Sequence, residues 1–451
     1  MGSGKDGSAR VSADDLSAHP SAERGQWTGF GETLDSSKNS QIIRPARRDG
    51  PVLIGIRGEW YDATNFVDRH PGGNIILEFQ GKDATAHFLA YHDEAKVLRH
   101  WKSVGTYEWD EDRPGGDPLE GEYLRLVKTF TDAGYFVTSP AWFYTKVGIV
   151  AALFALAWAA ALSYRSSGRV GYFITGFLSL GMCWHQMGFL FHDSIHHINT
   201  HKRSTDEMFG WIFGCCGLGV SAKWWRDEHV EHHLFTNTTI DKVAPGDPQM
   251  FETAWAQDKS LRQYFPDQKA LNLVLKVQHL IYVPGCLIVG PFVIRIYSYL
   301  EEKSPTQIAG IAVYWAWTSA LLSLFPTYFQ GALFFICAFV LHSVLHIQLT
   351  ISHYTKPWIE KEESKVSGSW MRRQATAVLD VDCPKWIDWF HGGLQFHAAH
   401  HIFPRLSRQY LREANAMVHA ATKKHGVTIE HKTFFKATWS VLTHLRDVGI
   451  H

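Results

Sequence analysis

The chain has 451 residues and no net formal charge at neutral pH. Its length suggests two or three domains, and the balanced charge argues against nucleic acid as a partner. The 18 Trp, 28 Phe and 16 Tyr are dense enough to suit packed cores and membrane interfaces, while six cysteines without a CxxC pair exclude a disulfide framework or thiolate zinc site.

Residues 1–50 are rich in Ser, Gly, Asp, Lys and Arg and lack apolar periodicity, which predicts a disordered segment. No charged stretch leads into an apolar core there, so no cleavable signal peptide is expected and membrane insertion falls to internal segments.

Residues 51–108 have the character of a small globular domain and contain EWYDATNFVDRHPGGNIILEFQGKDATAHFLAYH. Pro71, Gly72 and Gly73 impose a tight turn that sets His70 at the rim of a pocket. A second imidazole facing His70 would let the pair bind a haem iron from both sides, and His87 and His92 are both within reach. The HPGG and GKDAT motifs make this stretch resemble the cytochrome b5 domain over about 55 residues. That resemblance implies a small α+β haem domain binding haem b, with His70 and His92 as axial ligands.

Residues 109–122, within EWDEDRPGGDPLEGE, are acidic and broken by Pro and Gly, as expected of a linker. Residues 123–138 place Leu124, Val127 and Phe130 on one face, which predicts a helix lying along a membrane surface. From 123 to 451 the pattern is that of an all-α, membrane-embedded domain. Five apolar segments, at 141–163, 171–191, 279–299, 308–326 and 331–352, each approach the ~20 residues that span a bilayer. If all five crossed, the histidine clusters described next would lie on opposite sides. The segment 279–299 is interrupted by Pro284, Pro291 and Arg295 and is therefore expected to lie in the interface. The segments 308–326 and 331–352 then form a hairpin turning at Pro326, giving about four crossings. A short glycine-containing run at 208–221 suggests a re-entrant or interfacial piece.

Three histidine clusters stand between these segments: HDSIHH at 192–197, HVEHH at 229–233 and HAAHH at 397–401. Spacings of three and four put the histidines of each cluster on one helical face. His192, His196, His197, His229, His232, His233, His397, His400 and His401 are too many for one ion, so two metals sharing a site are expected. His353, at the end of the last apolar run, is a further candidate ligand, the alternative being a buried hydrogen-bonded side chain. Asp193, Asp380 and Asp382 are candidates to accept the outer N–H of ligand imidazoles, with capping or solvation as the alternative, and His185 is a candidate for the same supporting layer.

Removing hydrogen from an unactivated C–H bond is beyond acid–base groups and calls for an oxidant made from O₂ at a metal, fed with single electrons. A tethered haem suits that supply. With WHQMGFLFHD, WWRDEHVEHH, LFTN, HIQLTISHY and DVDCPKWIDWFHGGLQF, the chain resembles the front-end membrane desaturases with a fused cytochrome b5, and most of all the fungal-type sphingolipid delta-8 desaturases. The resemblance covers about residues 52–420. It implies two irons, O₂ as co-substrate, a lipid substrate, NADH–cytochrome b5 reductase as electron donor, an endoplasmic reticulum membrane and cytosolic clusters. One position departs from that family, whose third cluster usually begins with Gln where this chain has His397. Rival readings are a delta-5 or delta-6 acyl-lipid desaturase, a lipid hydroxylase and a non-catalytic membrane haem protein.

Overall fold

The computed structural model describes residues 50–240, 244–250, 255–265, 269–360 and 369–450. The expectation of disorder for 1–50 lies outside these residues save Gly50. Residues Leu53–Ile56, Glu59–Asp62, Lys82–Asp83 and Ser103–Thr106 form a four-stranded sheet (β1 to β4) in the order β3-β1-β2-β4. Its inner face buries Val52, Ile54, Ile56, Tyr61 and Leu77 in a small core of its own. Helix α1, Thr85–Tyr91, follows β3 and delivers His92 at its C-terminal end.

The expected linker is shorter than 109–122. Asp117 accepts a hydrogen bond from the N–H of Leu119 and Pro118 occupies the first turn, so helix α2 already begins there and runs over Pro118–Asp132. Its apolar face does not meet a membrane surface as the amphipathic pattern suggested. Leu119, Tyr123, Leu124, Leu126, Val127 and Phe130 are buried instead in a protein core. That core runs from Ala86, Leu89 and Ala90 of α1, through α2, to residues 370–371 and 398–406. The haem-type domain and the histidine-bearing domain therefore share apolar packing, which a flexible tether alone would not provide.

Helix α3, Pro140–Ser167, is capped by Ser139 and ends at Gly168 with φ 65°; helix α4, Val170–Ile195, runs back beside it. After α4 come helix Arg203–Gly210 and a π-helical stretch, Trp211–Leu218, within the run read as re-entrant, and then helix α5, Ala222–Leu234, capped by Ser221. Helix α6 is continuous over Lys269–Glu301, passing Pro284 by a π-helical turn at Gly285–Val289. Helices α7, Pro305–Leu322, and α8, Tyr328–Thr350, form a second hairpin. Glycine brings α4 and α8 together: a Cβ on Gly181 would stand 2.6 Å from the carbonyl oxygen of Ala338.

By length and composition, α3, α6 and α8 are apolar enough to cross a membrane. This differs from the expectation for 279–299, because the prolines interrupt the residue pattern without breaking the helix. Contacts, however, hold both ends of α6 on the cluster-bearing side. Gln278 donates to the carbonyl of Leu445 (2.7 Å), and Tyr282 hydroxyl meets that of Thr350 (2.6 Å). At the other end Trp224 donates to Glu301 (3.0 Å) and the Ser221 N–H donates to Ser298 Oγ (2.7 Å). The α7–α8 turn packs instead at the far end of the α3–α4 hairpin, where Phe173 lies 5.7 Å from Phe325 and 5.6 Å from Phe334 between ring centroids.

The remaining helices that matter to the site are α9, Trp370–Ala377; α10, His397–Ile402; and α11, Phe434–Ile450. The helical domain also carries two small sheets. Thr238–Ile240 pairs with Ala244–Pro245 and with Ile359–Glu360, and Leu379–Asp382 runs parallel to Glu430–Thr433.

Candidate metal centre and haem crevice

The end of α4, the end of α5, the residues just after α8 and the whole of α10 converge. His192, His196, His229 and His400 each offer a ring nitrogen, all within 4.8 Å of one another, and His232, His353 and His401 form a second such group. His233 joins the first group, its Nε2 3.1 Å from that of His229, and its ring lies 4.2 Å from that of His401. His397 joins the second, with Nε2 2.7 Å from His353 Nε2. Nine imidazoles thus converge, and all but His192 are buried.

Their donor set fits metal ions. The Nε2 atoms of His196, His400 and His401 are buried without a hydrogen-bond partner among the described residues, an arrangement that is costly unless a ligand fills it. Burial, reinforced by neighbouring imidazoles, holds His229, His233, His400 and His401 well below the ordinary imidazole range, and His397 at about 3. The rings are therefore neutral at physiological pH, the form that binds a metal.

Side chains behind the imidazoles fix their tautomers. His232 Nδ1 donates to the buried Asp247 carboxylate (2.9 Å), His229 Nδ1 to Gln249 (2.7 Å) and His401 Nδ1 to Gln374 (3.1 Å). Asp247 also accepts the N–H groups of Asn237, Gln249 and Met250, so one carboxylate both orients His232 and shapes the following turn. Sequence reasoning missed these three partners. Asp247 and Gln249 sit in a loop without periodicity, and Gln374 lies on a helix remote in sequence from His401.

Several predicted supporting residues are placed otherwise. Asp193 pairs with Arg408 (2.8 Å) and reaches His192 Nδ1 only at 3.8 Å. Asp380 touches no ligand ring; it accepts the N–H of Ala398 (2.9 Å), capping α10, and also binds Asn415 and His419. Asp382 is exposed and pairs with His431, and His185 donates to the carbonyl of Phe390 (2.8 Å). His197 is brought into neither group. The helix ends at His196, the backbone of His197 turns to φ 55°, and the positive side chains near its ring are Arg203 and Arg226.

In the N-terminal domain the rings of His70 and His92 face each other with centroids 6.1 Å apart. His70 Nδ1 is held by the carbonyl of Gly73 and His92 Nδ1 by that of Phe88, each at 3.0 Å, which leaves both Nε2 atoms for the space between the rings. Burial lowers both rings, His92 to about 4. This fits a haem iron bound from two sides. His87 is turned away from this crevice, against Trp370 (4.9 Å) and Arg373 (3.1 Å).

A two-imidazole crevice sharing a core with a nine-histidine centre at one end of apolar helices defines a haem-fused, membrane-associated oxidoreductase. The fatty acid desaturase family matches residues 167–433, more than half of the chain, and the chain belongs to that family. The cytochrome b5-like heme/steroid binding domain matches residues 38–125. Among curated relatives, the Delta(8)-fatty-acid desaturase of Borago officinalis is 28% identical over 415 residues, covering 89% of this chain and 91% of that one. The Acyl-lipid (9-3)-desaturase of the same plant is 26% identical over 439 residues, covering 93% of each. The Delta 8-(E)-sphingolipid desaturase of Candida albicans is 30% identical over 360 residues, covering 73% and 58%. The chain is a lipid desaturase, an oxidoreductase with a fused cytochrome b5 domain; that domain implies haem and the family implies iron.

Proposed function

We propose that this desaturase introduces a double bond at position 8 of a sphingolipid long-chain base, with two irons, O₂ as co-substrate and electrons passed through its own haem domain. The convergence of nine imidazoles, eight of them buried, in two adjoining groups carries this reading. Bound iron supplies the oxidant that takes hydrogen from an unactivated C–H bond. The chain's part is to hold that iron, orient its ligands through Asp247, Gln249 and Gln374, and keep water out by burial. Position 8 is supported by the names of relatives in two groups, called Delta(8)-fatty-acid desaturase and Delta 8-(E)-sphingolipid desaturase.

In this reading the α3–α4 and α7–α8 hairpins make four crossings and α6 lies laterally. The clusters and the haem domain face the cytosol from an endoplasmic reticulum membrane, and NADH–cytochrome b5 reductase reduces the haem. His70 and His92 would hold the haem, and the nine converging histidines would hold iron. A second reading, desaturation of a fatty acyl chain in a lipid, is favoured by the match to the Acyl-lipid (9-3)-desaturase across 93% of both chains.

Expression in a yeast lacking this activity, with profiling of long-chain bases and fatty acids, tests the proposal. A new double bond at carbon 8 of the base is the expected product. New unsaturation confined to fatty acids would favour the second reading, and a hydroxylated product would remove both.

A further inference from the structure

Two arginines of the desaturase domain act electrostatically on the two crevice histidines, one following each of two histidine clusters. Arg405 follows His401 by four residues, and Arg203 follows His197 by six. The path from crevice to Arg405 is packed throughout. Helix α1, which ends at His92, rests on Tyr123, whose hydroxyl donates to the carbonyl of Ala86 (3.1 Å). Tyr123 stacks on Phe403 (5.0 Å, 14° between planes), two residues before Arg405. Ile75 and Phe88 from the crevice pack against this same core.

Arg405 is an unusual group to find there. Its guanidinium lies 5.1 Å over the ring of Phe136, and its Nε is buried with no hydrogen-bond partner among the described residues. Burial lowers its pKa, the direction expected of a cation held away from water. The acid nearest in effect, Asp93, makes its own ion pair with Lys96 at 3.0 Å. His201, the other polar ring on this side, accepts the N–H of Thr138 (3.1 Å) and offers no anion. The charge of Arg203 acts on His70, as that of Arg405 acts on His92. Arg203 is half-exposed and also pairs with Glu207 (2.9 Å). A partly buried guanidinium whose Nε lacks a partner favours an anion beside it, and its planar fork matches a carboxylate. Haem b carries two carboxylate side chains at one edge.

We propose that Arg405, together with Arg203, binds the carboxylates of the haem, so that the group is held jointly by both domains and its edge is turned toward the metal centre. The inference rests on the reading of His70 and His92 as haem ligands. It adds that the haem domain is incomplete without the desaturase domain.

The test uses the full-length protein in detergent, loaded with haem b or with its dimethyl ester, in which both carboxylates are blocked. The readouts are the haem midpoint potential and the rate of haem loss to apomyoglobin. Arg405→Gln is expected to keep the two-imidazole spectrum, lose haem about tenfold faster or more, as befits a lost charge-assisted hydrogen bond, and show a lower potential because a cation opposing the ferric state is gone. Arg405→Lys should restore most of both. In wild-type protein the ester should likewise speed haem loss, while raising the potential because two anions are removed, and in Arg405→Gln it should add little to the rate of loss. An ester that behaves like haem b in wild-type protein overturns the proposal even if Arg405→Gln fails to fold. So does an Arg405→Gln variant with wild-type potential and haem retention. A wild-type protein that takes up no haem would instead strike at the axial-ligand reading.

Discussion

Gln374 accepts the Nδ1–H of His401 at 3.1 Å, and its own amide donates to the carbonyl of His233 at 2.6 Å, so one side chain ties two clusters together. One turn earlier on α9, Trp370 donates its indole N–H to the carbonyl of Ile402 (3.0 Å) while its ring meets His87 of the haem domain. Helix α9 thus touches the metal centre at one end and the electron-donor domain at the other.

From this position Gln374→Leu is expected to lose iron and activity by about 10–100-fold, the usual cost of removing the group that orients a ligand imidazole. Non-haem iron per protein should fall while the haem spectrum stays unchanged. Wild-type iron content in Gln374→Leu would show that Thr236, 3.3 Å from the same nitrogen, suffices alone.

His196 and His197 are neighbours in sequence with opposite fates, and their alanine variants should part accordingly. His196→Ala removes a member of the first group and is expected to abolish activity and lower iron content. His197→Ala should keep full iron, because its ring lies outside both groups. Iron depletion in His197→Ala equal to that in His196→Ala would put His197 back among the ligands.

The clusters were legible because a spacing of three or four residues places imidazoles on one helical face whatever surrounds the helix. His353 was legible for a related reason, standing where an apolar run returns to the cluster side. The adjacency of His197 misled because the helix ends between it and His196. Asp247 and Gln374 carry no local signal, since their meaning arises only when segments far apart in sequence meet. Helix α2 shows the same limit in packing. Its amphipathic pattern predicts a buried face, but Leu124, Val127 and Phe130 cannot announce whether lipid or protein covers it.

Glu120, at the start of α2, is buried against α9 and accepts the N–H of Met371 (3.3 Å), and burial raises its carboxyl to about 7. A carboxyl whose pKa is higher in the folded state contributes its stability below its unfolded pKa, and that contribution is lost as pH rises through the folded value. The cost therefore appears between about pH 4.5 and 7 and is complete above that. Glu120→Gln should unfold like wild type near pH 5 and be more stable by roughly 1–3 kcal/mol at pH 8.5, given about 1.4 kcal/mol per pKa unit. Thermal unfolding in detergent at the two pH values decides it, and equal stability at pH 8.5 would mean the carboxylate is accommodated after all.

His397 is the position where this chain departs from the Gln usual at the start of the third cluster in front-end desaturases. Its Nε2 stands 2.7 Å from that of His353, its ring is 4.6 Å from that of His401, and burial keeps it neutral, with a pKa of about 3. A side chain so placed serves the group of His232, His353 and His401, which without it offers three nitrogens. His397→Ala should lower non-haem iron toward half of wild type, since only the second group is impaired, and reduce turnover by about 10–100-fold or more. His397→Gln keeps a carbonyl oxygen near the same place and should retain part of both. If His397 merely filled space, the Ala and Gln variants would behave alike. Iron content and desaturated lipid measured side by side separate these outcomes, and wild-type values in His397→Ala would remove His397 from the metal centre.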